Sequence, residues 1–249
     1  MPMPSVFAVG TAASSTGGII TPAIPAGTDA NDVCLLVHEM DPVLSAAALG
    51  AVTGYADELN SPVSNTGGLP TRLTVRWHRA SGAESGTVSC PAVTNHHSAR
   101  IIGVRGLATS GNPWNVTAAG TQNDTLTTVT FPTLTTTAVD CLILCAVTTG
   151  TDVASTAMVT GWANAGLANI AEQADNWVAS GTGGGFAAMT GEKATAGAVA
   201  ATTATLTTGS FKAMLVIALP GSVTSNWPSR QGKHGGGQRQ QVLSVTSHW

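Results

Sequence analysis

An all-β fold, an antiparallel jelly-roll-like β-sandwich made of two internally repeated halves with an extended C-terminal tail, is predicted by three observations. No long window carries apolar residues at helical spacing, whereas short β-type runs bounded by Gly, Pro, Asn and Asp recur along the chain. Two of these runs, and the loops that follow them, repeat at a single offset. Residues 222–249 differ from everything before them in composition and in sign of charge.

The expected strands are 19–24, 33–39, 72–80, 86–90, 100–105, 125–131, 141–148, 198–207 and 211–219. Within 71–80, Leu73, Val75 and Trp77 alternate with Arg72, Thr74, Arg76 and His78, the pattern of a half-buried antiparallel strand. The best helical candidate, Ala46 to Val52, is short.

The repeat is the most informative feature. Cys34-Leu35-Leu36-Val37 matches Cys141-Leu142-Ile143-Leu144, and the same offset of 107 lays Val52-Thr53-Gly54-Tyr55 over Val159-Thr160-Gly161-Trp162. Ala99 to Gly106 closes the first half as Ala213 to Gly221 closes the second. Residues 1–221 are therefore expected to form the sandwich, with one half over about 5–106 and the other over about 114–221. The short 108–114 connection has no linker composition, which favours one shared sandwich with 33–38 and 141–147 pairing at its centre.

Charged residues are 9% of the chain, against about a quarter in ordinary soluble domains. Every apolar run is too short for a bilayer-spanning helix, and the first ten residues lack the layout of a secretory signal, so no membrane role is expected and synthesis in a cytoplasm is. Residues 1–221 carry 7 basic and 13 acidic side chains, whereas 222–249 carry Arg230, Lys233 and Arg239 and no acid. A tail opposite in sign to its body points to an acidic contact, such as a neighbouring copy. Trp227 and Trp249 in this polar setting, with Val242 and Val245 in a final strand-like stretch, are expected to be partner-binding anchors.

The four cysteines, Cys34, Cys90, Cys141 and Cys145, sit in apolar runs without metal-ligand spacing and read as buried thiols. Glu84, between Gly82 and Gly86, reads as a turn or rim residue, because a glycosidase needs a second acid across the bond. His96 and His97 read as an exposed loop pair, with metal binding at a symmetry axis as the alternative. The glycine run 181–185 lacks the Lys-Ser/Thr of a phosphate loop, and 181–191 is expected to be a surface loop. No G-x-S-x-G elbow is present, and Asn115 and Asn123 match glycosylation sequons only formally. No catalytic residue, cofactor, metal or nucleic-acid partner is expected. Arg72, Arg76 and His78 form a basic stripe and a possible surface contact; Trp177 and Phe186 are candidates for a glycan contact.

The segments Pro25 to Asp32, Val52 to Tyr55, Trp77 to Val88 and Ala99 to Gly106 resemble a family of small β-sandwich virion proteins of tailed bacteriophages. The resemblance covers residues 5–221 and leaves out the tail. It implies a non-enzymatic structural protein on the tail or capsid surface, either a minor tail or fibre protein or a decoration protein, assembled in the host cytoplasm into the virion. Its partners would be other copies of itself and other virion proteins. A carbohydrate-binding module that touches a host surface glycan is the alternative, and a glycan hydrolase ranks third.

Overall fold

The computed structural model describes residues 2–41, 49–68, 70–152, 157–179 and 184–222. The described residues hold no helix. Of the helical candidate, 49–52 is irregular chain and 46–48 lies outside the described residues.

The first half contains β1 (Ser5–Val9), β2 (Ala13–Ser15), β3 (Gly18–Ile20), β4 (Val33–Met40), β5 (Ala56–Asp57), β6 (Val63–Asn65), β7 (Thr71–Arg79), β8 (Cys90–Val93) and β9 (His97–Arg105). The second contains β10 (Val116–Gln122), β11 (Thr128–Thr130), β12 (Leu134–Thr136), β13 (Cys141–Thr149), β14 (Val159–Ala163), β15 (Ala168–Val178), β16 (Gly184–Lys193), β17 (Gly197–Val199), β18 (Thr203–Leu206) and β19 (Lys212–Pro220). Each half builds one main antiparallel sheet of the same topology, β1-β9-β4-β7-β5 and β10-β19-β13-β16-β15. Smaller sheets, β3-β8 in the first half and β11-β18-β14 with β12-β17 in the second, cover the outer faces.

The two main sheets pack face to face. Alternate residues of the strong strands, Val33, Leu35 and Val37 on β4 and Leu142, Leu144 and Ala146 on β13, meet in one core with Leu73, Val75, Ile102, Phe186, Leu215 and Ile217. The intervening residues point outward: Cys34 and Leu36 meet Ile20 and Cys90, while Cys141, Ile143 and Cys145 meet Val129, Phe131 and Leu206. Cys141 and Cys145 thus share a face, as their spacing requires. β4 lies over β16 and β7 over β13, contacts that exchange when the halves are exchanged, so an internal pseudo-twofold relates them.

The expected central pairing of the two strong strands does not occur. β4 bonds to β7 and β9, and β13 to β16 and β19. Each is apolar on both faces, so it takes the centre of its own sheet, where layers cover both sides. The closing strands also correspond differently from their letters. Leu35 pairs with Ile102 and its counterpart Leu142 with Leu219, which makes Ile102 and Leu219 equivalent.

Several boundaries move. The run 19–24 yields only β3 and an isolated Ala23–Thr87 bridge, the 86–90 strand forms instead over Cys90–Val93, and 198–207 divides into β17 and β18. The long strands β15 and β16 carry no clear alternation of large apolar residues. β16 begins Gly184-Gly185-Phe186-Ala187-Ala188 and is almost wholly buried, so the surface loop expected over 181–191 is corrected for its described part, 184–191. Small residues suit it to the tight space between β13 and β15. A Cβ on Gly185 would fall 2.2 Å from Asn176 O and 2.5 Å from Trp177 Cε3.

Candidate functional site

One end of the shared core is polar. β4 ends there at Glu39 and Met40, β7 begins opposite it, β13 ends at Thr148 and Thr149, and β16 begins at Gly184. Glu39 follows Val37 with two-residue spacing and so points into the inter-sheet core, and His96, just before β9, meets it: His96 Nε2 lies 2.9 Å from Glu39 Oε1, with both side chains 0% exposed. Gly184 closes over this pair. A Cβ at that position would stand 2.6 Å from His96 Nε2, 2.7 Å from Thr149 O and 2.8 Å from Glu39 Oε1. Residues of both halves therefore seal one buried histidine–carboxyl pair.

The neighbouring residues on the same two strands face the other way. His38 Nε2 is 3.1 Å from His97 Nδ1, the rings are 5.2 Å apart, and both side chains are buried under the outer layer of the first half. Adjacent histidines do point to opposite faces, but the exposed loop expected for them is corrected: His96 and His97 are 1% and 0% exposed. His97 lies in β9, paired with Met40 on one side and Ser15 on the other.

Burial pulls the His96 imidazole down, but the Glu39 carboxylate bonded to it, with Asp41 and Asp152 beyond, outweighs this and holds it above the ordinary range. Burial raises Glu39. On the opposite face the signs reverse. Burial, the His97 ring and the Arg76 guanidinium hold His38 well below the ordinary histidine value, and burial with the nearby His96 lowers His97 to about 4 against a partial rise from the Gly18 main chain. Glu39 Oε2, Thr71 Oγ1 and Thr148 Oγ1 on the inner face make no hydrogen bond, nor does His38 Nδ1 on the outer one.

The second half supplies an internal comparison. By strand register, His38 and Glu39 correspond to Cys145 and Ala146, and His96 and His97 to Ala213 and Met214. All four counterparts are buried. The architecture is thus satisfied by apolar residues where the first half places three imidazoles and a carboxylate.

A second grouping lies on the edge strand β15. The Trp162 indole N–H donates to Glu172 Oε2 at 2.8 Å, the Trp177 indole donates to Asp175, and Asp175 Oδ2 accepts the Val159 amide at 3.1 Å. Burial raises both carboxyls. Trp162 also stacks near Phe131, with centroids 5.7 Å apart.

The expected surface contacts divide. Arg76 is 5% exposed and is corrected to a buried residue: the 49–57 segment folds over it, and it bonds Asp57 Oδ1 at 2.6 Å, Gly50 O at 2.9 Å and Leu49 O at 3.0 Å. Arg72 is half-buried and donates to Ser64 Oγ at 2.9 Å. His78 is held between Gly54 O at 2.8 Å and Glu84 Oε1 at 3.0 Å, and Glu84 itself forms an isolated bridge with Thr28. Trp177 is half-buried, whereas Phe186 is 0% exposed in the inter-sheet core and is corrected as a glycan contact. Trp227, Arg230, Lys233, Arg239, Val242, Val245 and Trp249 lie outside the described residues. Asn115 uses its amide at both ends, donating to Thr137 Oγ1 and accepting from the Thr137 and Ala138 amides.

Neither the His38–Glu39–His96–His97 grouping nor the two Trp–carboxylate pairs stood out in the sequence. The offset of 107 that lays His38-Glu39 over Cys145-Ala146 was the one available signal for the first. The described residues contain no group of three or more His, Cys, Asp or Glu side chains placed to hold a metal, and no helix long and apolar enough to cross a membrane. The fold defines a duplicated antiparallel β-sandwich; comparison with protein-family models, curated proteins and solved structures finds no match.

Proposed function

We propose that this chain is a non-enzymatic structural protein of a tailed-phage particle, a minor tail, fibre or decoration protein held in place by subunit packing and by its C-terminal tail. The observation that carries this reading is the polarity of the molecule. The last described residue, Ser222, bonds Gly106 O at 2.8 Å, just past the end of β9, whereas the buried polar cluster lies at the start of β9. At about 3.3 Å per residue, the two ends of this nine-residue strand are ~25 Å apart. Ser222, the residue before the basic tail, therefore lies at one pole, and the polar grouping occupies the other. A rigid body attached at one end and presented at the other suits an assembled surface protein. The resemblance of 5–221 to small phage virion proteins points the same way.

Truncation after Gly221 is expected to leave the sandwich folded, by its circular dichroism and thermal transition, and to abolish incorporation into particles. Unchanged incorporation overturns the reading.

The alternative, a carbohydrate-binding module that touches a host glycan, is favoured by the Trp162–Glu172 and Trp177–Asp175 pairs, which put two indoles and two carboxylates along one edge. Glycan-array binding that is lost in Trp177→Ala but kept in the tail truncation would support it over a purely architectural role.

A further inference from the structure

We propose that the paired His38 and His97 imidazoles form an acid-sensitive latch that holds the outer layer beginning at β3, with the edge strand β2 that leads into it, onto the main sheet of the first half at the polar pole. Three observations carry this. The two rings bond each other at 3.1 Å in a fully buried setting, and His38 Nδ1 has no partner to accept an added proton. The second half fills the equivalent positions with Cys145 and Met214, so the fold does not require imidazoles there. These elements are short and lightly tied: the edge strand β2 pairs with β9 over three residues, Ala13–Ala99, Ser14–Ser98 and Ser15–His97, and β3 pairs only with β8.

The charged and titratable surroundings set the direction. From β7, Arg76 faces His38, and Thr74 is the neutral neighbour paired with it. From the chain before β9, His96 adds a second like charge near His97, while Glu39 and Asp41 act on His96 from the inner face. The outer layer offers His97 the Gly18 main chain. Asp57, on β5 of the main sheet, is already bonded to Arg76 at 2.6 Å. A proton added to either ring of the closed pair therefore meets like charge.

Both rings are held below the ordinary histidine value of about 6.5 while closed and return toward it when the layer opens. Opening thus takes up protons. The latch is fully engaged above about pH 6.5 and weakens as pH falls toward 4, by up to tenfold in the opening equilibrium per pH unit for each ring. The Glu39–His96 pair on the inner face works in the opposite sense through His96, whose contribution is present in acid and lost as pH rises. Opening is then confined to the outer layer and leaves the join between the halves closed.

The test borrows the second half's own solution. In full-length protein, His38→Cys with His97→Met installs residues that the same architecture already buries, and Glu39→Ala with His96→Ala does so on the inner face. Amide hydrogen exchange of 13–20 is followed from about pH 7.5 to about pH 4 and corrected for the intrinsic pH dependence of exchange. The wild type and the Glu39/His96 double variant are expected to lose protection there by tenfold or more per pH unit below about 6.5, while the His38/His97 double variant stays flat. Protection in the wild type that does not change with pH, or an unchanged slope in the His38/His97 variant, overturns the latch. If that double variant fails to fold, the single His97→Met is read instead, with a slope reduced by about one proton expected and an unreduced slope overturning the proposal.

Discussion

Arg105 grips Asp32 through two parallel hydrogen bonds, Nε to Oδ1 at 2.8 Å and Nη2 to Oδ2 at 2.6 Å. The pair ties the loop that enters β4 to the end of β9, at the pole where Ser222 meets Gly106. The Asp32 side chain is 4% exposed and also accepts the Asp29 amide at 2.8 Å.

Burial alone would raise the Asp32 carboxyl, but Arg105 and the Asp29 main chain overcome it and hold it below its ordinary value. A depressed carboxyl contributes stability that is complete at neutral pH and is lost as pH falls through the folded value, below 3.8. Arg105→Lys, which cannot reproduce the fork, is expected to lower the thermal midpoint by several degrees at pH 7 and by less in acid. Thermal melts of both proteins across this range check it.

Gly184 stands where a side chain would strike Glu39 and His96, with a φ of 144° that side-chain-bearing residues rarely adopt. Gly184→Ala is expected to cost about 1–3 kcal/mol. Gly82 is the control: a Cβ there meets nothing within 4 Å, so Gly82→Ala should lie within about 1 kcal/mol of wild type. Urea denaturation of the two variants separates them.

Lys212 is 0% exposed and reaches Asp124 Oδ1 at 2.8 Å. The Lys212 ammonium holds the Asp124 carboxyl below its ordinary value, so this contribution is present at neutral pH and lost as pH falls through the folded value. Asp124→Asn strands a buried cation and is expected to cost about 1–3 kcal/mol, whereas Lys212→Met removes the charge and should be milder. Equal losses in the two denaturation curves would contradict this account.

All four cysteines are fully buried, and burial pushes the Cys34 and Cys90 thiols up to about 11 and Cys145 to about 12. Native protein at about pH 8 is therefore expected to resist a thiol reagent that reacts with all four groups in denaturant. Mass spectrometry after timed labelling reads the outcome.

Leu35 and Leu144 come from different halves and meet in the same core, each 1% exposed. Leu35→Ala or Leu144→Ala should cost about 2–5 kcal/mol and leave a single unfolding transition, because neither half retains its inner face without the other. Two separated transitions in calorimetry would show that the halves fold independently.

The alternation in 71–80, the doubly apolar runs at 33–39 and 141–148 and the V-T-G-aromatic repeat were enough to define an all-β, duplicated chain, because side-chain period and turn chemistry are local properties. The glycines of that repeat both adopt positive φ values, 80° at Gly54 in a turn and 65° at Gly161 at the irregularity within β14. Tertiary structure decided what lay across from each strand. Whether β4 pairs with β13 or packs against its sheet, whether 184–191 is loop or buried strand, and whether His96 is exposed or sealed against Glu39 all depend on partners distant in sequence, which no local pattern encodes. Composition could register that the chain holds few charges. Only the packing of two related sheets decided that His38, Glu39, His96 and His97 are buried together at one pole, where the repeat itself shows that apolar residues would have served.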